Sequence, residues 1–413
     1  MIDLYYYKLN NHFLFSFIEF PEFETCRQED IVDSNEIVFF LNKLDPKVSR
    51  RGFAVVEISQ LFTEFEDLGI LKKDTHNNDL PYWIEEKIAH KQIKSVNVSF
   101  PSWKDELISV PKKWRINVFA LGDVGSTLLI GLRLLGKNID IGIYDRSPEK
   151  IKRWEYELNQ IRIPFSEDVL PPVRALQKSE LFDCDMFVFC ASKSIPPVGK
   201  ENVDVRMIQF HDNRKIISQY GTLARDKNFK GIFAVVSDPV DLLCKSLYLD
   251  SNLGPDGNLD YNGLAPNQII GYGLGVMNAR ACFYSERLHG FSHYLKEGCV
   301  FGPHGKGLIV VDSIENYNHA KSDLLTEKTL NANLEIRSFG YKPFVAPSLS
   351  SGALSILATI SGNYFYGSSL MGEVFMGSKM KLGDAGIEIP KYDFHANLEE
   401  KLLETYNELR RHI

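Results

Sequence analysis

Arg115-Ile-Asn-Val-Phe-Ala-Leu-Gly-Asp-Val-Gly-Ser-Thr-Leu-Leu-Ile130, followed by Ile141-Gly-Ile-Tyr-Asp145, decides how this chain folds. An apolar run from Ile116 to Leu121 reads as a buried strand. It meets the turn Gly122-Asp123-Val124-Gly125, and a helix-like apolar segment follows. A second strand-like run ends at Asp145. That order is a β-α-β unit built to hold a dinucleotide. The glycines let backbone approach a pyrophosphate, and the helix start offers unpaired N–H groups and its positive end. Asp145 lies about twenty residues past the turn, where a carboxylate accepts from ribose hydroxyls and repels a phosphate there. The expected cofactor is therefore NAD rather than NADP. Ala120 departs from the pattern, because G-x-G-x-x-G wants its first glycine at that position.

Outward from this stretch, strand-like runs at 139–144, 186–190 and 232–236 alternate with helical segments, as a doubly wound parallel sheet requires. After about residue 268 the pattern becomes glycine-rich turns, mixed strands and a last helix with Leu398, Leu402, Tyr406 and Leu409 on one face. The first 110 residues fit neither pattern. Tyr5–Lys8 and Phe13–Glu19 flank Asn10-Asn11 as a hairpin, 55–68 has helical periodicity, and 83–90 suggests another helix. The expected fold class is α/β: a Rossmann domain at 113–266, an α+β substrate domain at 267–413, and a small α+β module at 1–112.

The 413 residues suffice for two or three domains. A net charge of −7 argues against a nucleic-acid backbone as main partner. No run is long enough to cross a bilayer, and the N-terminus lacks a cleavable leader pattern. Six cysteines without a C-x-x-C pair fit a reducing cytoplasm and offer no metal site.

Further segments line up in order. Ser237-Asp-Pro-Val-Asp241 follows a buried strand. Ile270-Gly-Tyr-Gly273 leads to Asn278-Ala-Arg280. Gly302-Pro-His-Gly305 follows Gly298-Cys-Val-Phe301, and Val374-Phe-Met-Gly-Ser-Lys-Met-Lys-Leu-Gly383 precedes Gly386-Ile387. Through these segments residues 115–413 resemble the lactate/malate dehydrogenase family. The resemblance implies an NAD-dependent oxidoreductase interconverting a 2-hydroxy acid and a 2-keto acid, with a small carboxylate substrate and a homodimer or tetramer. It implies His304 as acid/base, Arg280 as the grip on the substrate carboxylate, and Arg206 as a loop arginine polarising the carbonyl, the last alignment resting on Asn213.

The departures are specific. Where the family carries an aspartate three residues before Arg280, this chain has Met277, and a thioether cannot stabilise an imidazolium. The asparagine expected beside the nicotinamide ribose and the reacting oxygen is Asp238, which can instead pair with His304. Lys306 and Pro303 bracket His304 where acidic residues are usual, and Lys342 falls near a substrate-facing position. The long segment 191–206 and the insertion 250–266 point to a larger or unusual substrate. The alternative reading is a dehydrogenase-like scaffold with weakened or lost catalysis that binds NAD, with residues 1–112 docking a protein or peptide.

Overall fold

The glycine turn closes the first strand of a nine-stranded sheet in the computed structural model, which describes residues 3–74, 80–193 and 205–412, with side chains of 205–208 left aside. Ahead of it, the N-terminal module runs β1 (Tyr5–Leu9), β2 (His12–Ser16), β3 (Glu24–Thr25), α1 (Gln28–Val32), β4 (Val38–Asn42), β5 (Gly52–Ala54), α2 (Tyr82–Ala89) and β6 (Ile93–Asn97). Among the described residues these strands form a mixed sheet in the order β3-β1-β2-β4-β6-β5. The hairpin is present, and its turn residue Asn10 takes the left-handed conformation that suits asparagine.

The helix expected over 55–68 is absent. Strand β5 ends at Ala54, and two short 3₁₀ turns follow at Ile58–Phe62 and Leu68–Leu71. Local side chains explain it. The Gln60 amide oxygen accepts from the backbone N–H of Val56 and Glu57, and Glu66 is drawn to buried Arg50. Both compete with a continuous helical ladder.

The body continues as β7 (Trp114–Phe119), α3 (Asp123–Leu135), β8 (Ile139–Tyr144), α4 (Pro148–Asn159), β9 (Val173–Ala175), β10 (Met186–Phe189), α5 (Val205–Asp226), β11 (Ile232–Val235), α6 (Val240–Ser251) and β12 (Ile269–Gly271). Strands β9-β8-β7-β10-β11-β12 lie side by side and parallel. This is the doubly wound order, with its reversal between β7 and β10. Period-two alternation sorts the core. Ile116, Val118, Met186 and Val188 face an aliphatic layer, while Phe119, Phe187, Phe189 and Phe233 face an aromatic one.

Beyond β12 come α7 (Leu274–Ser285), α8 (Tyr294–Glu297), β13 (Cys299–Phe301), β14 (Ile309–Val311), α9 (His319–Ser338) and α10 (Leu354–Ile360). Then β15 (Phe365–Met371), β16 (Val374–Gly383) and β17 (Gly386–Glu388) extend the same sheet in antiparallel fashion, and α11 (Ala396–Arg410) covers it. Leu398, Leu402 and Tyr406 of α11 join the core, as their spacing predicted. No helix among the described residues is long and apolar enough to span a membrane.

The N-terminal module is welded to this body. Ile70 and Leu71 enter the main core, and Leu71 and Lys73 exchange backbone hydrogen bonds with Tyr392. Buried Glu106 accepts from Arg51 Nε and Lys94 Nζ, each at 2.7 Å, and from Asn267 Nδ2 of the body at 2.8 Å. Burial alone would raise this carboxyl's pKa, but the two cations hold it far below the usual range. The insertion 250–266 belongs to the same seam. Arg225 grips Asp260 through both terminal nitrogens, Tyr261 packs edge-on against Phe100, and Tyr248 Oη donates to Pro46 O. Tyr261 of the insertion thus rests against the module, beside the Tyr248 contact made from α6.

Removing the shared anion leaves two buried cations. Glu106→Ala is expected to destabilise the protein by about 3–5 kcal/mol, read from urea unfolding of the full chain. Ala120 is the second test. It sits at φ 72°, where a side chain costs roughly 1–2 kcal/mol, while glycine's extra chain entropy costs about 0.5–1 kcal/mol. Ala120→Gly should therefore raise stability by about 0.5–1 kcal/mol, and a loss would show that the turn is relaxed.

Candidate active site at the carboxyl ends of the parallel strands

Each position of the glycine turn has a distinct physical duty. Ala120 turns the chain with a positive φ. Gly122 precedes α3, and a Cβ there would meet nothing within 4 Å, so the backbone stands open to a ligand. A Cβ on Gly125 would come within 2.0 Å of the Ala120 carbonyl oxygen, so this glycine is required for α3 to pack on β7. Val124 lies within the first turn of α3, whose free N–H groups point toward the same opening. Asp145 closes the far side. Its two oxygens accept from the backbone N–H of Leu121 and Ser147, at 2.8 and 3.0 Å, which fixes the carboxylate beside the turn. Asp123 adds a negative charge where a pyrophosphate would come, and Lys342 Nζ lies 3.4 Å from it. Lys342 thus lies against the glycine turn. Lys306 points elsewhere, to Glu408.

A second cluster forms where β10, β11 and β12 end. Ser237 Oγ donates to Ala191 O, tying the ends of β11 and β10 together. Buried Asn213 on α5 donates to Asp238 O at 2.7 Å and accepts from Lys193 N at 2.8 Å. Two anchored loops therefore hold the Asp238 turn. The His304 loop runs between Gly302 and Gly307, both at φ 90°, and Gly302 pairs with Gly377 of β16.

Asp241, in the first turn of α6, fastens this loop to the strands. Its Oδ2 accepts from the His304 backbone N–H at 3.0 Å, and its Oδ1 accepts from Ser368 Oγ of β15 at 2.7 Å. Burial pushes the Asp241 carboxyl up to about 6, opposed by those two hydrogen bonds and by the nearby imidazole. The His304 ring comes to Asp238: Nδ1 lies 2.7 Å from Oδ1. The imidazole is 17% exposed and the carboxylate 52%. Burial lowers the pKa of His304, but the charge and hydrogen bond of Asp238 outweigh it, so the net shift is upward. Arg280 opposes that rise and Asp241 adds to it.

Arg280 projects from α7, half-buried. Burial depresses its pKa, with Tyr284 and Asp238 acting the other way. Its Nη1 lies 3.5 Å from the Met277 sulfur, and it makes no ion pair among the described residues. A desolvated guanidinium in that state can receive an anion. The structure therefore brings His304, Asp238 and Arg280 together, with Asp145 and the glycine turn across the β7–β10 reversal. Arg206 lies in the first turn of α5, and its side chain is outside the described residues, as are 194–204. Asp241 is the group whose part in the site was missed. Its place in Ser237-Asp-Pro-Val-Asp241 was visible, but only the fold shows that it reaches the His304 backbone.

No protein-family model matches the chain. Among curated proteins it is similar to the L-lactate dehydrogenase of Mesomycoplasma hyopneumoniae, 24% identical over 204 residues, covering 49% of this chain and 58% of that enzyme. L-lactate dehydrogenase 2 of Staphylococcus aureus is 23% identical over 229 residues, covering 52% of this chain and 66% of its own. The chain thus spans less than two thirds of the length of these relatives. In structure it is similar to a lactate dehydrogenase from a Medee basin deep-sea metagenome library, with TM-score 0.60 and 18% identity over 73% of this chain and 98% of that one. The malate dehydrogenase of Archaeoglobus fulgidus in complex with NADH gives TM-score 0.58 and 17% identity, over 72% and 97%. The fold expected from residues 115–413 is borne out: the body is a divergent lactate/malate dehydrogenase-like fold carrying an added N-terminal module.

The raised Asp241 carboxyl has a consequence for stability. A group whose folded pKa lies above its unfolded value near 3.9 favours the folded state most at low pH, and that contribution fades as pH rises through about 6. The stability of the wild type relative to Asp241→Asn should therefore fall between pH 4 and pH 7, by on the order of 3 kcal/mol. Denaturant unfolding of both proteins across that range measures it. A difference that stays flat with pH would show that Asp241 is ionised throughout.

Proposed function

We propose that this chain is an NAD-dependent oxidoreductase interconverting a 2-hydroxy acid and a 2-keto acid. The observation that carries the reading is Arg280. It is a half-buried guanidinium without an ionic partner among the described residues, set beside an imidazole whose ring nitrogen is held by a carboxylate. A small carboxylate fits the first group, and a carbonyl or hydroxyl oxygen fits the second.

The site residues suit the cofactor. Gly122, Asp123, Val124 and Gly125 leave an open backbone cradle at a helix start, and Asp145 stands ready for ribose hydroxyls. When bound, NADH supplies the hydride that the carbonyl carbon receives, and NAD⁺ accepts it in the reverse direction. His304, protonated, gives its Nε2 proton to the carbonyl oxygen and becomes neutral imidazole, whose retained Nδ1–H donates to Asp238. Arg280 holds the substrate carboxylate through two N–H donors and so fixes which face of the carbonyl is presented. Arg206, at the start of α5, is proposed to polarise the carbonyl oxygen. Asp238 is also proposed to border the nicotinamide ribose. Assembly as a homodimer or tetramer accompanies this reading, and it rests on the family resemblance.

Purified full-length protein, NADH and a panel of 2-keto acids differing in size and charge test the proposal by the loss of NADH absorbance. Turnover is expected with at least one acid. His304→Gln should lower kcat by roughly 10²–10⁴-fold with NADH affinity unchanged, and Arg280→Gln should raise KM for the keto acid by roughly 10- to 100-fold. NADH binding without consumption of any keto acid would instead favour the NAD-binding scaffold.

A further inference from the structure

Among the described residues, three charged groups face the His304 imidazole from three different elements. Asp238 approaches from the turn after β11, Asp241 from the start of α6, and Arg280 from α7. Their contacts divide the labour. Both Asp241 oxygens are engaged, one by the His304 backbone N–H and one by Ser368 Oγ, so this carboxylate holds the loop. Arg280 is a cation and works against an imidazolium. Met277, one turn before Arg280 on α7, puts its thioether against that guanidinium and brings no charge to the ring. That leaves Asp238, whose Oδ1 lies 2.7 Å from Nδ1.

We propose that Asp238 is the positioning residue of His304: it fixes the ring with hydrogen on Nδ1, leaves Nε2 to exchange the proton with substrate, and sustains the imidazolium. The proposal rests on the reading of His304 as the acid/base. Its backbone is well placed for the task. Asn213 Nδ2 holds the Asp238 carbonyl oxygen at 2.7 Å, and Ser237 is tied to Ala191. The carboxylate is therefore presented by an anchored turn, on the side where the parallel strands end. A carboxylate on Nδ1 also dictates chemistry. It favours the Nδ1–H tautomer after proton transfer and the doubly protonated ring before it. Reduction of a keto acid consumes the doubly protonated form, so Asp238 extends the pH range over which reduction proceeds. The cost is an anion close to the reacting oxygen, which Arg280 helps to offset.

The test uses full-length protein labelled with ¹⁵N at histidine, with the His304 resonances assigned by their loss in His304→Gln. In the wild type, the neutral ring is expected as the Nδ1–H tautomer and its titration above that of an unperturbed histidine. Asp238→Asn should shift the titration downward, because burial and Arg280 then act with less opposition, and should move the acid-form limb of the kcat/KM profile for keto-acid reduction the same way. Asp238→Glu should restore part of both shifts. Asp238 is half-exposed, so Asp238→Asn should unfold at nearly the wild-type temperature, and Asp238→Ser carries the same expectation if it does not fold. A His304 titration and pH limb that both stay in place in folded Asp238→Asn would overturn the proposal. The NMR readout needs no turnover. A protein that consumes no keto acid, yet shows the titration shift, would sink the oxidoreductase reading and leave the positioning of the ring standing.

Discussion

One buried carboxylate, Asp241, is the constraint on which the site depends. It joins the first turn of α6, the His304 loop and β15 through two hydrogen bonds. An isolated buried carboxylate is unfavourable, and this one is only partly compensated, as its upward shift to about 6 shows. The His304 loop is short and glycine-flanked, and its other ties include the Gly302–Gly377 bridge, Thr405 Oγ1 on Gly307 O and Lys306 on Glu408. Among the described residues, Asp241 alone holds the His304 backbone N–H. With the backbone fixed by Asp241, the ring is free to be oriented by a different carboxylate, Asp238. Separating the two duties places the ring by backbone geometry and sets its protonation by side-chain chemistry.

The N-terminal module obeys a different logic. Edge strand β5 lies beside edge strand β17 of the large sheet, with a Cβ on Gly386 falling 3.7 Å from Phe53 Cα. Exposed sheet edges invite unwanted pairing, and covering one with another sheet removes that hazard. The seam carries a charged centre at Glu106, an aromatic contact between Phe100 and Tyr261, and a strand-like exchange between Leu71 and Tyr392. Such a seam is unlike a loose tether, and Tyr261 of the 250–266 segment takes part in it.

The body's architecture was legible because its signals are local. An apolar strand, a glycine turn, an amphipathic helix and a carboxylate follow one another within about thirty residues, and the period-two sorting of β7 and β10 follows directly from their residue order. The helical reading of 55–68 failed because periodicity counts only apolar spacing. It is blind to Gln60 capturing the N–H groups of Val56 and Glu57, and to Glu66 being claimed by Arg50. His304, Arg280 and Asp238 could be singled out by their places in colinear segments. The engagement of Asp241 could not, because Ser368 lies 127 residues away in the chain and no pattern links them.

Met277 and Asp238 gain meaning when taken together. On its own, a thioether before Arg280 looks like the loss of a proton relay. On its own, an aspartate beside the reacting oxygen looks like a charge in the wrong place. The 2.7 Å contact between Asp238 and the His304 ring ties the two departures together, because it gives a mostly buried imidazole a carboxylate on its ring nitrogen. A carboxylate at both positions would put two anions on one imidazole and strengthen the field opposing a developing oxyanion. A carboxylate at neither would leave Asp241, both of whose oxygens are taken up elsewhere, against burial and Arg280. Of these two positions the chain carries a carboxylate at Asp238, at the strand end rather than on the helix that bears Arg280. Arg280 thereby has an uncharged sulfur beside it on its own helix, and the carboxylate that acts on it, Asp238, comes from the strand end.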